Sequence, residues 1–250
     1  MKTLLVIPYF NDSFRLNKFL PELFKVLPPH FHILVYNDGS SPLEKTRTES
    51  LLARFEEKSL STGIDLSCVH QRYNLGKGAS IINAWDNAQG HDILGFTDAD
   101  GAVPAEEIVR LESYLRETPP VKALFGSRIR LLGKKIKRGA KRELSSRLFS
   151  FLVSRVGQIP AHDTQCGLKF IRENTYRHIS PHLSVKRFAF DVELALILQH
   201  FNHHTEEMPV NWTDIPGSKV SLVKDSLQMA SDIFKIKKKL DNIPRFGGGC

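Results

Sequence analysis

The first half of the chain switches repeatedly between two periodicities, and this alternation constrains the fold more than any other feature. Thr3–Ile7, Phe31–Tyr36, Ile64–Val69 and Asp92–Thr97 are short apolar runs of strand length. Segments with helical spacing lie between them. Asn11 or Asp12 stands at the cap position before a helix whose apolar face is Leu16, Phe19, Leu20, Leu23 and Phe24. A polar helix runs through Leu51, Leu52 and Phe55, and Gly78–Ala88 reads as the next. Pro104, with Glu106 and Glu107 behind it, marks another helix start: Pro suits the first helical position and the carboxylates oppose the helix dipole. Val121–Phe125 is a fifth strand. Such alternation implies right-handed βαβ units, so the expected class is α/β with a doubly wound, mainly parallel sheet.

After Gly126 the pattern changes. Leu148, Phe149, Leu152 and Val153 make an apolar helical stripe within Leu144–Val156. A loop at Pro160–Cys166, a strand near Leu168–Ile171, a helix at Asp191–Gln199 and a strand near Met208–Trp212 follow. Leu222–Leu240 reads as an amphipathic helix rich in lysine at its end, and Gly247–Cys250 as a disordered tail. The expected organisation is one domain over residues 1–246. It divides into residues 1–127 and 128–221, with 222–246 as the C-terminal helix and end.

A chain of 250 residues can bury one sizeable core. The net charge is +8, and its distribution matters more than its total. No acidic residue occurs from Thr118 through Arg142, a window holding Arg128, Arg130, Lys134, Lys135, Lys137, Arg138, Lys141 and Arg142. Lys235, Lys237, Lys238 and Lys239 form a second basic cluster. Such patches suit phosphate-bearing substrates, anionic lipid surfaces or nucleic acid, or they solubilise a surface. The three cysteines fit neither a disulfide framework nor a zinc site, which favours a reducing compartment. No apolar stretch approaches the ~20 residues that span a bilayer, and the N-terminal run is too short for a signal peptide. The expectation is a cytoplasmic protein that is not integral to the membrane.

Every strand end in the first half carries a polar cluster. These are Pro8-Tyr9-Phe10-Asn11-Asp12, Asn37-Asp38-Gly39-Ser40, Arg72-Tyr73-Asn74-Leu75-Gly76-Lys77-Gly78 and Asp98-Ala99-Asp100-Gly101. Set along one edge of a parallel sheet, four such turns make a nucleotide cleft. Asp98 and Asp100 alone admit two readings. They are either a solvated turn that caps the next helix, or hard oxygen ligands for Mg²⁺ or Mn²⁺ shared with substrate phosphates.

Together these segments resemble the GT-A glycosyltransferases of family 2. Asp163-Thr164-Gln165-Cys166-Gly167-Leu168-Lys169 and Phe188-Ala189-Phe190-Asp191-Val192-Glu193-Leu194 narrow the resemblance to the branch that makes polyprenyl-phosphate sugars. Within it they are more similar to the dolichyl-phosphate glucosyltransferases than to the mannose synthases. The resemblance covers Leu4 to Lys219. It implies a GT-A fold whose residues 1–127 are the nucleotide-sugar-binding half and 128–221 the acceptor-binding half, and a nucleotide diphosphate-sugar donor with Asp98 and Asp100 as metal and ribose ligands. It also sets Asp12 and Asp38 against ribose and base, and makes the backbone at Pro8 and Tyr9 the base pocket. Asp12 stands where Glu is more usual, and Asn37 replaces the first acid of the usual Asp-Asp-Gly-Ser. Lys77, between two glycines, can approach the diphosphate or be a simple loop lysine.

The acceptor decides the remaining roles. A lipid monophosphate is already anionic and needs cations that hold it, for which Arg128, Arg138, Lys169 and Lys219 are candidates. A sugar hydroxyl needs a base, and the family places such a carboxylate near Asp191, which is otherwise a structural helix-start residue like Glu193. Gln165 and Asp163 line the site near the sugar, and Cys166 is a small packing residue. The leading expectation is inverting, metal-dependent transfer of a hexose, glucose from UDP-glucose, to a polyprenyl or dolichyl phosphate. The alternative is a hydroxyl acceptor with Asp191 as base. A nucleotidyltransferase would carry a glycine-rich basic loop after the first strand, which Pro8-Tyr9-Phe10-Asn11 is not. Nucleic acid would be repelled by the carboxylates of the cleft. Leu144–Val156 and Leu222–Leu240 are open to two readings, as peripheral membrane elements or as helices packed on the sheet.

Overall fold

A computed structural model describes residues 1–129, 136–137, 163–215 and 224–244. The strands are β1 (Thr3–Tyr9), β2 (Phe31–Asn37), β3 (Asp65–His70), β4 (Ile93–Thr97), β5 (Ala123–Ser127), β6 (Ile136–Lys137), β7 (Leu168–Arg172), β8 (Thr205–Pro209) and β9 (Trp212–Thr213). The helices are α1 (Ser13–Val26), α2 (Pro42–Ala53), α3 (Glu56–Thr62), α4 (Lys77–Asp86), α5 (Ala105–Glu117), α6 (Glu173–Ile179), α7 (Phe190–His200) and α8 (Lys224–Asp241). Arg138, Lys219, Leu144–Val156 and the tail 247–250 lie outside the described residues.

The main sheet has the order β3-β2-β1-β4-β7-β5-β8, with β6 and β9 paired separately. Among the described strands of that sheet all run parallel except β7, which is antiparallel to both neighbours. The winding goes from β1 outward to β3, then returns to β4 on the other side of β1. The reversal opens a crevice at the carboxyl ends of β1 and β4, where ligands of open α/β sheets bind. Alternation along β1 shows why both faces are covered. Leu4 and Val6 pack with α4, α7 and α8, whereas Leu5, Ile7 and Tyr9 pack with α1 and α5. Trp85, Phe96, Tyr176 and Phe190 form an aromatic cluster under the first of these layers.

Several elements differ from the reading of the sequence. The polar helix through Leu51 and Phe55 is two helices, broken at Arg54–Phe55. Pro104 is the cap residue of α5, not its first helical residue. Asp12 occupies the cap position of α1 but makes no cap bond; its carboxylate pairs with Arg15 at 3.1 Å, and Glu44 accepts from the Ser13 N–H instead. The segment near Met208–Trp212 is divided between β8 and β9, which belong to different sheets. Helix α6 escaped the periodicity because it is short, although Glu173 in its first turn and Arg177 and His178 in its last are helix-dipole signals.

Candidate active site

Four sheet-edge segments meet at the crevice. Asp98 follows β4, Lys77 opens α4, Asp191 lies in the first turn of α7, and residues 163–167 lead into β7. Because β7 is antiparallel, it begins where β4 ends, with Leu168 opposite Thr97. This register sets Gly167 beside Asp98, whose N–H donates to the Gly167 carbonyl at 3.0 Å. A Cβ on Gly167 would lie 1.9 Å from Asp98 Oδ2, so only glycine leaves room for the carboxylate.

An alternating chain of charges runs through the site. Lys77 Nζ is 2.9 Å from Asp98 Oδ1 and 3.4 Å from Asp191 Oδ2, and Lys169 Nζ is 2.6 Å from Asp191 Oδ1. Lys169 also donates to the Cys166 carbonyl at 2.7 Å. Burial alone would lower the Lys77 pKa, but the charges of Asp191 and Asp98 outweigh it and hold the ammonium above its ordinary range. The Asp98 side chain is 44% exposed, whereas that of Lys169 is fully buried. Asp98 therefore faces the cleft, and Lys169 sits behind Asp191, out of reach of a solvent-borne phosphate in this structure. That placement corrects its reading as an acceptor contact: Lys169 supports Asp191.

Asp100 turns one oxygen back to the Ala102 N–H at 2.9 Å, closing the turn after β4 without capping α5. Burial, and then the charge of Asp98, push its carboxyl above the usual range. A divalent cation would relieve that repulsion. Among the described residues no three metal-ligating side chains converge. Two carboxylates completed by substrate phosphate and water are nonetheless what Mg²⁺ or Mn²⁺ asks of a protein, so the donor set fits.

The turns after β2 and β3 are braced to one another. Asp38 Oδ1 accepts from the Leu75 N–H at 2.8 Å, and Oδ2 accepts from the Gly76 N–H and Asn74 Nδ2, each at 2.9 Å. Burial raises its pKa against the pull of those amides. Asp38 thus ties the β3–α4 turn to the end of β2. The Tyr9 ring is buried under the sheet, while its carbonyl accepts from the Asp38 N–H at 2.9 Å. Pro8 and Tyr9 close β1 at its carboxyl end. Arg15, which the sequence reading missed, pairs with Asp12 and also acts electrostatically on Asp100. Its spacing of three from Asp12 is the signal that could have found it.

In the second half of the chain, Arg128 follows β5 and binds Asp163 through Nε at 2.7 Å, Nη2 at 2.7 Å and its own N–H at 2.8 Å. The fork-on-carboxylate geometry is a strong one. Gln165 reaches toward α8, with Nε2 3.9 Å from Met229 Sδ. Cys166 is fully buried, and burial pushes its thiol up to about 12. The Arg128 charge outweighs burial and holds Asp163 below the usual carboxylate range. A depressed folded-state pKa stabilises the protein above the unfolded value, near 3.9, and that contribution is lost as pH falls through the folded value. Urea midpoints of wild type and Asp163→Asn are therefore expected to differ most above about pH 4 and to converge below it.

The fold and this carboxylate-bearing cleft define a glycosyltransferase of the GT-A class. The glycosyl transferase family 2 profile matches residues 4–180, and the chain belongs to that family. It is 33% identical over 246 residues to the dolichyl-phosphate beta-glucosyltransferase of Homo sapiens, covering 93% of this chain and 74% of that one. The dolichyl-phosphate beta-glucosyltransferase of Dictyostelium discoideum is 32% identical over 244 residues, covering 93% and 72%. Among solved structures, S. aureus TarS 1-349 in complex with UDP-GlcNAc superposes with a TM-score of 0.60 at 16% identity, over 96% of this chain and 65% of that one. M. tuberculosis glucosyl-3-phosphoglycerate synthase with Mn²⁺, UDP and glucosyl-3-phosphoglycerate gives 0.59 at 14% identity, over 100% and 83%. At these identities the structural likeness establishes the fold alone. No helix among the described residues is long and apolar enough to cross a membrane.

Proposed function

We propose that this glycosyltransferase moves glucose from UDP-glucose to a dolichyl or polyprenyl phosphate, with inversion at the anomeric carbon and dependence on Mg²⁺ or Mn²⁺. The observation that carries the acceptor assignment is the occupancy of Asp191. Both of its oxygens already accept from ammonium groups, Lys77 and Lys169. A hydroxyl acceptor needs a carboxylate free to take its proton in the transition state. A phosphate monoester, with a second pKa near 6, arrives ionised and needs none. The names of the curated relatives support the same acceptor and the same sugar.

Asp98 and Asp100 would hold the cation, which would act as a Lewis acid on the departing diphosphate. Lys77 leaves Asp98 as the donor enters and pairs with diphosphate oxygens, while Asp191, itself held by Lys169, stays paired with the Lys77 ammonium. A phosphate oxygen of the acceptor attacks the anomeric carbon. The bond from that carbon to the diphosphate breaks, and its electron pair leaves with the nucleoside diphosphate. Arg128, set by Asp163, flanks the acceptor approach, together with Gln165. Arg138 and Lys219 complete the proposed cationic set. The same reading makes the protein a peripheral enzyme at the cytoplasmic face of a membrane. Support comes from α8, whose exposed residues include Phe234, Lys235, Lys237 and Lys238.

A thermal-shift panel of UDP-, GDP- and dTDP-sugars, each with and without Mn²⁺, tests the donor, since a ligand of the folded state raises Tm with occupancy. The largest shift is expected for UDP-glucose with Mn²⁺. Transfer of labelled glucose to a detergent-solubilised polyprenyl phosphate, and none to a free glycan, tests the acceptor. Transfer to the glycan alone would overturn the assignment.

A further inference from the structure

We propose that Glu193 and Lys239 are positioning residues: they pin residues 182–187, and that segment fixes the turn carrying Lys77. The Glu193 side chain is fully buried, two residues beyond Asp191 on α7. A buried carboxylate persists only where donors surround it, and here the donors come from outside its own helix. Oε2 accepts from the Ser184 N–H at 2.9 Å and the Val185 N–H at 2.7 Å. Oε1 accepts from Ser184 Oγ at 2.8 Å and lies 3.4 Å from Lys239 Nζ. Lys239, in the last turn of α8, also donates to the His182 carbonyl at 2.5 Å and to Ser184 Oγ at 2.8 Å. A charge that merely opposed the α7 dipole would need none of these partners.

The far side of the pinned segment bears on the donor site. The Lys186 carbonyl accepts from the Ala79 N–H at 2.9 Å, so it satisfies a first-turn donor of α4. Gly76 has φ +104, and a Cβ there would lie 2.4 Å from that same carbonyl. A Cβ on Gly78 would lie 2.5 Å from the Val185 carbonyl and 2.6 Å from Phe190 Cβ. Lys77 is thus held between two glycines that press against the segment's backbone, which aims its ammonium at Asp98. The C-terminal helix thereby sets the geometry of a residue on the opposite half of the fold. The consequence for donor binding rests on the function proposed above; the pinning of the turn does not.

Lys239→Met and Glu193→Gln test the inference, with Lys239→Arg as the conservative control. Amide exchange in the ligand-free protein is expected to speed up over residues 75–80 and 182–187 in both test variants, while residues 93–98 stay unchanged. With Mn²⁺ present, UDP affinity is expected to fall about tenfold, the scale on which supporting partners act, and Lys239→Arg to restore most of it. The KM for UDP-glucose rises with it and kcat at saturating donor holds. A merely structural role would lower Tm without splitting KM from kcat. Unchanged exchange over 75–80 in both variants would overturn the proposal, as would UDP affinity within twofold of wild type. If the wild type itself binds no nucleoside diphosphate, the donor reading falls, and the exchange measurement alone decides whether the pin holds the turn.

Discussion

Gly167→Ala is expected to lower turnover at least about 100-fold while leaving the sheet folded, the scale of loss when a reacting constellation moves by about an ångström. The added methyl would stand 1.9 Å from Asp98 Oδ2 and 2.4 Å from its Cγ. The carboxylate must therefore turn away, which removes it from Lys77 and from the cleft. The backbone need not follow, because the bond from the Asp98 N–H to the Gly167 carbonyl uses no side-chain atom. Circular dichroism should match wild type, while the Mn²⁺-dependent stabilisation by UDP disappears. Turnover within a few-fold of wild type would mean that the working position of Asp98 is a different one.

The second large effect is on stability. Asp191→Ala leaves Lys169, whose side chain is fully buried, and Lys77, whose side chain is 14% exposed, without the carboxylate between them. Breaking a buried ion pair by removing one partner costs about 3–5 kcal/mol, because the remaining charge is stranded. For a chain of this size that corresponds to a fall in Tm of roughly 10 °C, measurable by calorimetry. Asp191→Asn separates stability from chemistry. Its amide oxygen can still accept from Lys169, whereas its NH2 would face the Lys77 ammonium donor to donor, so the Lys77 contact is lost. With a phosphate acceptor, kcat/KM for UDP-glucose falls roughly 10- to 100-fold through a displaced Lys77, mainly in KM, and the pH profile of kcat keeps its shape. Loss of the low-pH limb of that profile would instead assign Asp191 as the proton acceptor and favour a hydroxyl substrate.

Legibility in the sequence followed the range of the interactions involved. The strands at Thr3, Phe31, Ile64 and Asp92 and the turns that end them depend on local period and turn chemistry, so they were readable within a residue or two. The carboxylates of Asp98 and Asp100 and the lysine between Gly76 and Gly78 belong to those turns. Glu193 and Lys169 were harder. Charged residues default to the surface, and their burial here depends on partners 46 and 22 positions away. Asp38 was legible as a turn residue but not as the brace of the Asn74–Gly76 turn, since only packing shows which amides reach it. Asp12 shows the converse: the cap position was found, yet Arg15 claims the carboxylate.

By itself the sequence determined the α/β class, the four polar turns, three of them acid-bearing, and the family to which they belong, because periodicity and turn residues act over a few positions. Only the tertiary structure decided that β7 enters the sheet backwards between β4 and β5, delivering Gly167 to Asp98, and that Asp191 lies between two lysines. Strand direction and charge pairing are settled by which distant surfaces exclude water together, and no local pattern encodes that choice.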